Sequence, residues 1–303
     1  MKCIAVLMST YNGEKYLSSQ IESILNQKDV CVSLYVRDDG SSDNTKSILE
    51  KYQNKGSLKW YDGENLGPAK SFFHLLESID EYEYYAFADQ DDIWMDAKLC
   101  SALDMIDKTK KEDSRGVLYY CNKTIVNADG EKQCVNHHIY KQSIQIPFLE
   151  SYASGCCMVF DEPIRKIVLK YKPSCNVLHD QWLYVLSNIF GHVIYDDRPF
   201  MFYRIHQNNA AGIPKGGLLR KIFYLFRGNK KRNVGAAELA ENVLKQCDEI
   251  LNKNQKKVLN LIANSSKSYV ARLRMFLSSE FFVPDSSLRR KVYYKLKILL
   301  GRI

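Results

Sequence analysis

The first hundred residues alternate with a regular beat, and that alternation restricts the fold more than any other feature of the chain. Short apolar runs at Lys2–Met8, Val32–Val36, Leu58–Tyr61 and Tyr84–Ala88 read as strands. Between them lie segments with apolar residues at helical spacing: Leu17, Ile21, Ile24 and Leu25, then Ile48 and Leu49, then Phe72, Phe73, Leu75 and Leu76. Four strands with helices between them predict an open α/β sheet, doubly wound and mostly parallel, with right-handed crossovers. Each strand runs into a polar cluster: STYNG at 9–13, RDDGSSDNT at 37–45, DGENLGP at 62–68 and DQDD at 89–92. The carboxyl edge of such a sheet is where ligands bind. One cluster alone is an ordinary surface turn; four along one edge mark a site.

From Val117 the pattern changes. Strand-like VLYYC is followed by a polar stretch to Gln145, then IPFLESYASGCCMVF and a helix at about Pro163–Leu169. HDQWLYVLSNIF reads as a second helix opened by Asp180, and His192–Tyr195 as a strand before PFMFYRIHQNN. Nine cysteines, an odd number with no C-x-x-C pair, argue against a disulfide framework or a zinc ribbon and for a reducing cytoplasmic setting. The N-terminal MKCIAVLMSTYNG passes from an apolar run straight into polar residues, so a buried strand is expected there rather than a signal peptide. The uncharged stretch 181–195 is too short and polar to span a bilayer.

Charge divides the chain in two. Residues 1–214 carry 23 Lys+Arg against 29 Asp+Glu, a net of −6, and residues 215–303 carry 20 against 6, a net of +14. The expected organisation is an α/β domain over 1–214, acidic enough to hold a metal, and a basic, mostly helical region over 215–303 that faces something anionic.

The sharpest chemistry is Asp89-Gln90-Asp91-Asp92. Three carboxylates in four residues repel one another unless a proton or cation intervenes. At a strand end, a hard divalent ion such as Mg²⁺ or Mn²⁺ is the natural compensator, held by one or two carboxylates together with phosphate oxygens; the bland alternative is a solvated acidic turn. One βα unit earlier, Asp39 can accept from a base N–H or a ribose hydroxyl, whereas Asp43 reads as a helix cap. Neither a G-x-G-x-x-G nor a G-x-x-x-x-G-K-[ST] run is present, which argues against a nicotinamide fold and a P-loop.

Seven segments in order, STYNG, RDDGSSDNT, ENLGPAKSF, FADQDDIW, SGCCMVF, HDQW and YRIHQNN, resemble those of family 2 glycosyltransferases with the GT-A fold. The resemblance covers about residues 1–210, and DQDDIW with YRxHxxN is most similar to the rhamnosyltransferase-like subgroup, which builds bacterial surface polysaccharides such as capsules. It implies that Thr10, Tyr11, Asp39, Asn65 and Asp89 hold the donor nucleotide and that Asp91 ligates the metal, joined by His206. It also implies that Asp180 is the general base of an inverting reaction, and that Gly155, Trp182 and Arg204 line the sugar or acceptor pocket. His179 departs from the family, which more often has Glu there. Physical alternatives stand beside these roles: Asp180 as an N-cap, His206 satisfied by its own loop, and Arg204 on phosphate.

The basic tail has its own reading. Gly216–Arg232 and Ser286–Ile303 interleave Leu, Ile, Phe and Tyr with Arg and Lys, the pattern of an interfacial helix on the inner face of the cell membrane. The alternative is packing on the catalytic domain or on a second subunit of a homo-oligomer. No nucleic-acid recognition motif accompanies the charge. The expected activity is transfer of a hexose or deoxyhexose from a nucleoside diphosphate sugar, dTDP-rhamnose or a UDP-hexose, to a hydroxyl of a lipid-linked or growing glycan. The rivals are a metal-dependent nucleotidyltransferase, for which a Gly-rich basic loop is missing, and a non-catalytic membrane-surface protein.

Overall fold

A computed structural model describes residues 1–112, 114–135, 140–206, 234–281 and 288–303. Strands β1 (Lys2–Thr10), β2 (Val30–Asp38), β3 (Lys59–Asp62) and β4 (Tyr84–Ala88) lie parallel in the order β3-β2-β1-β4. Ile4 through Met8 are all fully buried, the continuous apolar run that a sheet covered on both faces requires. Helices α1 (Leu17–Leu25), α2 (Thr45–Asn54) and α3 (Pro68–Ser78) connect these strands. They bury Leu17, Ile21 and Ile24; Leu49 and Tyr52; and Phe72, Leu75 and Leu76. Thr10 stands beside Asp38, and Asp38 beside Asp62, so the strands finish level and their polar clusters share one edge.

Beyond β4 the sheet is mixed. β8 (Met158–Asp161) inserts antiparallel between β4 and β6 (Val117–Val126). β9 (His192–Arg204) runs parallel to β6, and β5 (Ile93–Trp94) lies antiparallel to β9. β7 (Lys132–Val135) pairs with β6 inside what the sequence presents as a polar stretch. The strand expected at His192–Tyr195 continues to Arg204, thirteen residues in all. Pro199 masks that continuity: it has no N–H for the ladder, and the register with β6 shifts where it faces Asn122. Helices α4 (Lys98–Lys110), α6 (Glu162–Lys170) and α7 (His179–Phe190) complete this half. α7 starts at His179, so Asp180 lies inside its first turn instead of capping it.

Two compact units emerge: one of Met1–His137, Ala153–Lys170 and His179–Asn209, the other of His138–Tyr152, Tyr171–Leu178 and Ala210–Ile303. The second unit thus includes two segments from earlier in the chain. Its described helices are α5 (Ile146–Leu149), α8 (Ala236–Cys247), α9 (Lys253–Ala263), α10 (Tyr269–Leu277) and α11 (Leu288–Leu299). Leu239, Val243, Leu259, Ile262, Met275 and Ile298 form its dry core. A capping box between Asn252 and Gln255 starts α9. The basic stretch Gly216–Arg232, the expected boundary at 214/215, the end of YRIHQNN (207–209) and the start of Ser286–Ile303 lie outside the described residues. Among the described residues, no helix is long and apolar enough to cross a membrane.

Candidate active site

The loops after β1 and β2 interlock. The Asn12 amide donates to Ser41 Oγ (2.9 Å), the Ser42 amide to Asn12 Oδ1 (2.9 Å), the Gly13 amide to Thr45 Oγ1 (2.8 Å) and the Glu14 amide to Asp43 Oδ2 (3.1 Å). Asp39, buried beneath them, pairs with Arg37 and accepts from the amides of Leu66 (3.0 Å) and Gly67 (2.9 Å). Its carboxylate thereby fixes the loop carrying Asn65, which is exposed beside Gly40. Thr10 is buried, with its hydroxyl on Gln90 Oε1 (2.6 Å), while Tyr11 is half-exposed. Gln90 also accepts from the Tyr11 amide (2.8 Å) and donates to its carbonyl (3.0 Å), tying the first loop to the acidic one. A Cβ on Gly13 would stand 2.4 Å from Gln90 Oε1, so this clip requires glycine there.

The acidic cluster follows β4 without a break. Burial, then the charges of Asp91 and Asp180, push the Asp89 carboxyl up to about 7. Asp180 therefore lies close enough to act on Asp89 although 91 positions separate them in the sequence. Asp91 Oδ2 meets His206 Nε2 at 2.7 Å, and the His206 ring rests against Tyr16, centroids 5.3 Å apart. Buried Asp92 accepts the Arg204 amide through Oδ1 (3.1 Å), and its Oδ2 has no hydrogen-bond partner. Burial, reinforced by Asp89 and Asp91, holds Asp92 well above the usual carboxylate range. Oxygens of Asp89 and Asp92 and the sulfur of Cys156 lie within 4.8 Å of one another. The acidic corner is thus crowded with donors suited to a cation.

The SGCC turn forms the next wall. The Gly155 amide donates to Asp180 Oδ2 (3.1 Å), and the Gln181 amide to Asp180 Oδ1 (2.7 Å), so both oxygens of the expected base are oriented by backbone. Lysines grip the turn on either side of Gly155. Lys123 donates to Ser154 Oγ (2.7 Å), and Lys98, completely buried, donates to the Cys156 carbonyl (2.6 Å) from a position 3.2 Å over the Trp94 ring. His179 stacks on Phe72 at 4.0 Å and meets Phe87 edge-on. A Cβ on Gly155 would come within 2.9 Å of His179 Nε2. Close approach, not backbone conformation, explains that glycine.

The model of glycosyl transferase family 2 matches residues 5–167, more than half of the chain. A curated relative, the dTDP-rhamnosyl transferase RfbG of Shigella flexneri, is 32% identical over 224 residues, covering 68% of this chain and 73% of its own. The chain belongs to glycosyl transferase family 2. Within the family it is rhamnosyltransferase-like. Two solved structures share its architecture. Staphylococcus aureus TarS 1-349 with UDP-GlcNAc has a TM-score of 0.58 at 20% identity, over 92% of this chain and 77% of that one. The Pyrobaculum calidifontis mannosyltransferase PcManGT with GDP-Man and Mn²⁺ has 0.54 at 13%, over 99% and 84%. At those identities the likeness is one of fold, GT-A.

The geometry sorts the family 2 residues expected from sequence into two sets. Thr10, Tyr11, Asp39 and Asn65 border the interlocked loops; Asp89, Asp91, His206, Gly155 and Asp180 converge beside them. Trp182 is completely buried. Arg204 is buried as well, donating to the carbonyls of Asp91 (3.1 Å) and Ala128 (3.1 Å) with its guanidinium 4.5 Å from the Tyr16 ring centroid. Sequence reasoning overlooked Gln90, Tyr16, Lys98 and Lys123. Gln90 was visible as the one uncharged member of DQDD, whereas the other three carry no local signal.

Proposed function

We propose that this glycosyltransferase moves a sugar from a nucleoside diphosphate sugar, dTDP-rhamnose or a UDP-hexose, to a hydroxyl of a lipid-linked or growing bacterial surface polysaccharide, with inversion at the anomeric carbon. The convergence of Asp89, Asp91, His206 and Asp180 beside the Tyr11 and Asn65 loops carries this reading. The relatives support it: one is named a dTDP-rhamnosyl transferase, and the two solved neighbours hold UDP-GlcNAc and GDP-Man with Mn²⁺.

Asp91 and His206 would hold Mg²⁺ or Mn²⁺. Their facing Oδ2 and Nε2 atoms, 2.7 Å apart, join a carboxylate oxygen, which suits either ion, to an imidazole nitrogen, which suits Mn²⁺ better than Mg²⁺, and the neighbouring carboxylates repel one another without a cation. When bound, that cation supplies the positive charge that lets a nucleoside diphosphate depart. Tyr11 offers a half-exposed ring to the base, and Asn65 an exposed amide to the nucleotide. Asp180, oriented by the Gly155 amide, takes the proton of the acceptor hydroxyl as it attacks. Attack on the face opposite the diphosphate inverts the anomeric carbon. In this reading the enzyme works in the cytoplasm, peripheral on the inner face of the membrane through its basic residues 215–303.

Asp180→Asn should lower turnover by on the order of 10²–10⁴-fold with donor binding retained in a thermal-shift assay. Collapse of donor binding would make Asp180 a structural residue. Asp91→Ala should abolish metal-dependent turnover while leaving the fold intact; near-normal activity removes the metal assignment.

A further inference from the structure

α10 is amphipathic in the inverted sense for a helix that serves only its own unit. Ala271 and Met275 are buried, whereas Tyr269, Val270, Leu273 and Leu277 are 61%, 58%, 38% and 72% exposed. At helical spacing those four residues share an arc of about 100°, opposite Ala271 and Met275. Both ends of the helix are secured. The Ser268 hydroxyl accepts from the Ala271 amide (3.2 Å), and Lys295 of α11 donates to the carbonyls of Phe276, in the last turn, and Ser278, just beyond it. The stripe is therefore held outward on a fixed frame. Single exposed apolar residues are ordinary, but four side by side on nine residues mark a contact surface.

Charge identifies what the stripe meets. Exposed Arg274 borders it on one side, and on the other Arg272 lies 5.6 Å from the Tyr269 ring centroid. Residues 268–303 carry eight Lys+Arg against two Asp+Glu. An apolar strip edged by arginines complements a surface that is anionic outside and hydrocarbon just beneath. We propose that α10 is the membrane-docking face of this chain, with Tyr269, Val270, Leu273 and Leu277 in the acyl boundary of an anionic phospholipid bilayer and Arg272 and Arg274 among its headgroups. This rests on the membrane placement proposed above and goes further by assigning the contact to a helix outside both Gly216–Arg232 and Ser286–Ile303.

Flotation of the full chain with phosphatidylcholine vesicles, with and without phosphatidylglycerol, tests it. The chain should float with the anionic vesicles and release as salt rises. Leu273→Asp with Leu277→Asp should reduce the bound fraction by about tenfold or more. Because both side chains are exposed, the melting temperature and the donor-induced thermal shift should stay as in the parent chain, separating this result from a failure of the catalytic reading. Unchanged flotation of the double variant overturns the assignment and leaves the membrane contact to another segment. Absence of flotation by the parent chain overturns both. Sedimentation showing a parent dimer that the double variant dissociates would make the stripe an interface between copies and overturn the proposal.

Discussion

His179 is an ionisable ring placed among Phe72 and Phe87 with neither ring nitrogen hydrogen-bonded. Burial lowers its pKa from 6.5 to about 4. The unfolded chain thus takes up a proton near pH 6.5 while the folded chain refuses it until about pH 4. Stability should be full above pH 6.5 and fall as the pH drops toward 4, by about 3 kcal/mol from this one group. Urea midpoints across that range should show a shallower acid decline for His179→Leu; an identical decline in parent and variant would assign it to other groups. The sequence marks His179 as a departure from the family, but the aromatic cage that sets its pKa is built from α3, β4 and α7 and is not written locally. Asp180 is the opposite case. Its place in HDQW was legible, yet one of the two amides that orient it comes from Gly155, on a separate turn.

Between elements, the SGCC turn depends on ammonium groups from α4 and β6. A lysine at the start of an amphipathic helix normally extends into water, so nothing in the local sequence separates Lys98 from a solvated one. Its burial follows from Trp94 beneath it and the Cys156 carbonyl ahead of it. Lys98→Met should keep the hydrophobic volume but free that carbonyl, loosening the turn under Asp180. We expect turnover to fall by about a hundredfold with the donor KM little changed. A matched loss in donor affinity, measured by thermal shift, would place Lys98 at the nucleotide instead. The same scale explains which elements were legible. β1 to β4 and their helices announce themselves by local periodicity, whereas β5, β7 and the far half of β9 depend on cross-strand partners distant in sequence. No periodicity reveals that β8 runs antiparallel between β4 and β6.

For the whole molecule, the proposed function requires that nucleotide and cation bind together at the acidic corner. A nucleoside diphosphate sugar at a hundred times its Kd stabilises a fold by about 2.7 kcal/mol, a shift of several degrees in Tm. That shift should need Mn²⁺ or Mg²⁺, vanish on chelation and be largest for the cognate member of a dTDP-, UDP- and GDP-sugar panel. A full shift in chelator would separate donor binding from the cation. Pocket walls drawn from several loops set the preferred sugar, which is why neither the motifs nor the fold name it. The cross-brace behind the corner has a consequence of its own. Ile93 pairs with Phe202, the Met95 amide donates to the Phe200 carbonyl, and the Arg204 amide donates to Asp92. Asp91 and His206, 115 positions apart along the chain, thus ride on one stiff tile. Exchanging the surrounding loops should leave their spacing untouched, so on the proposed reading such a scaffold can take new sugars while this pair stays in place.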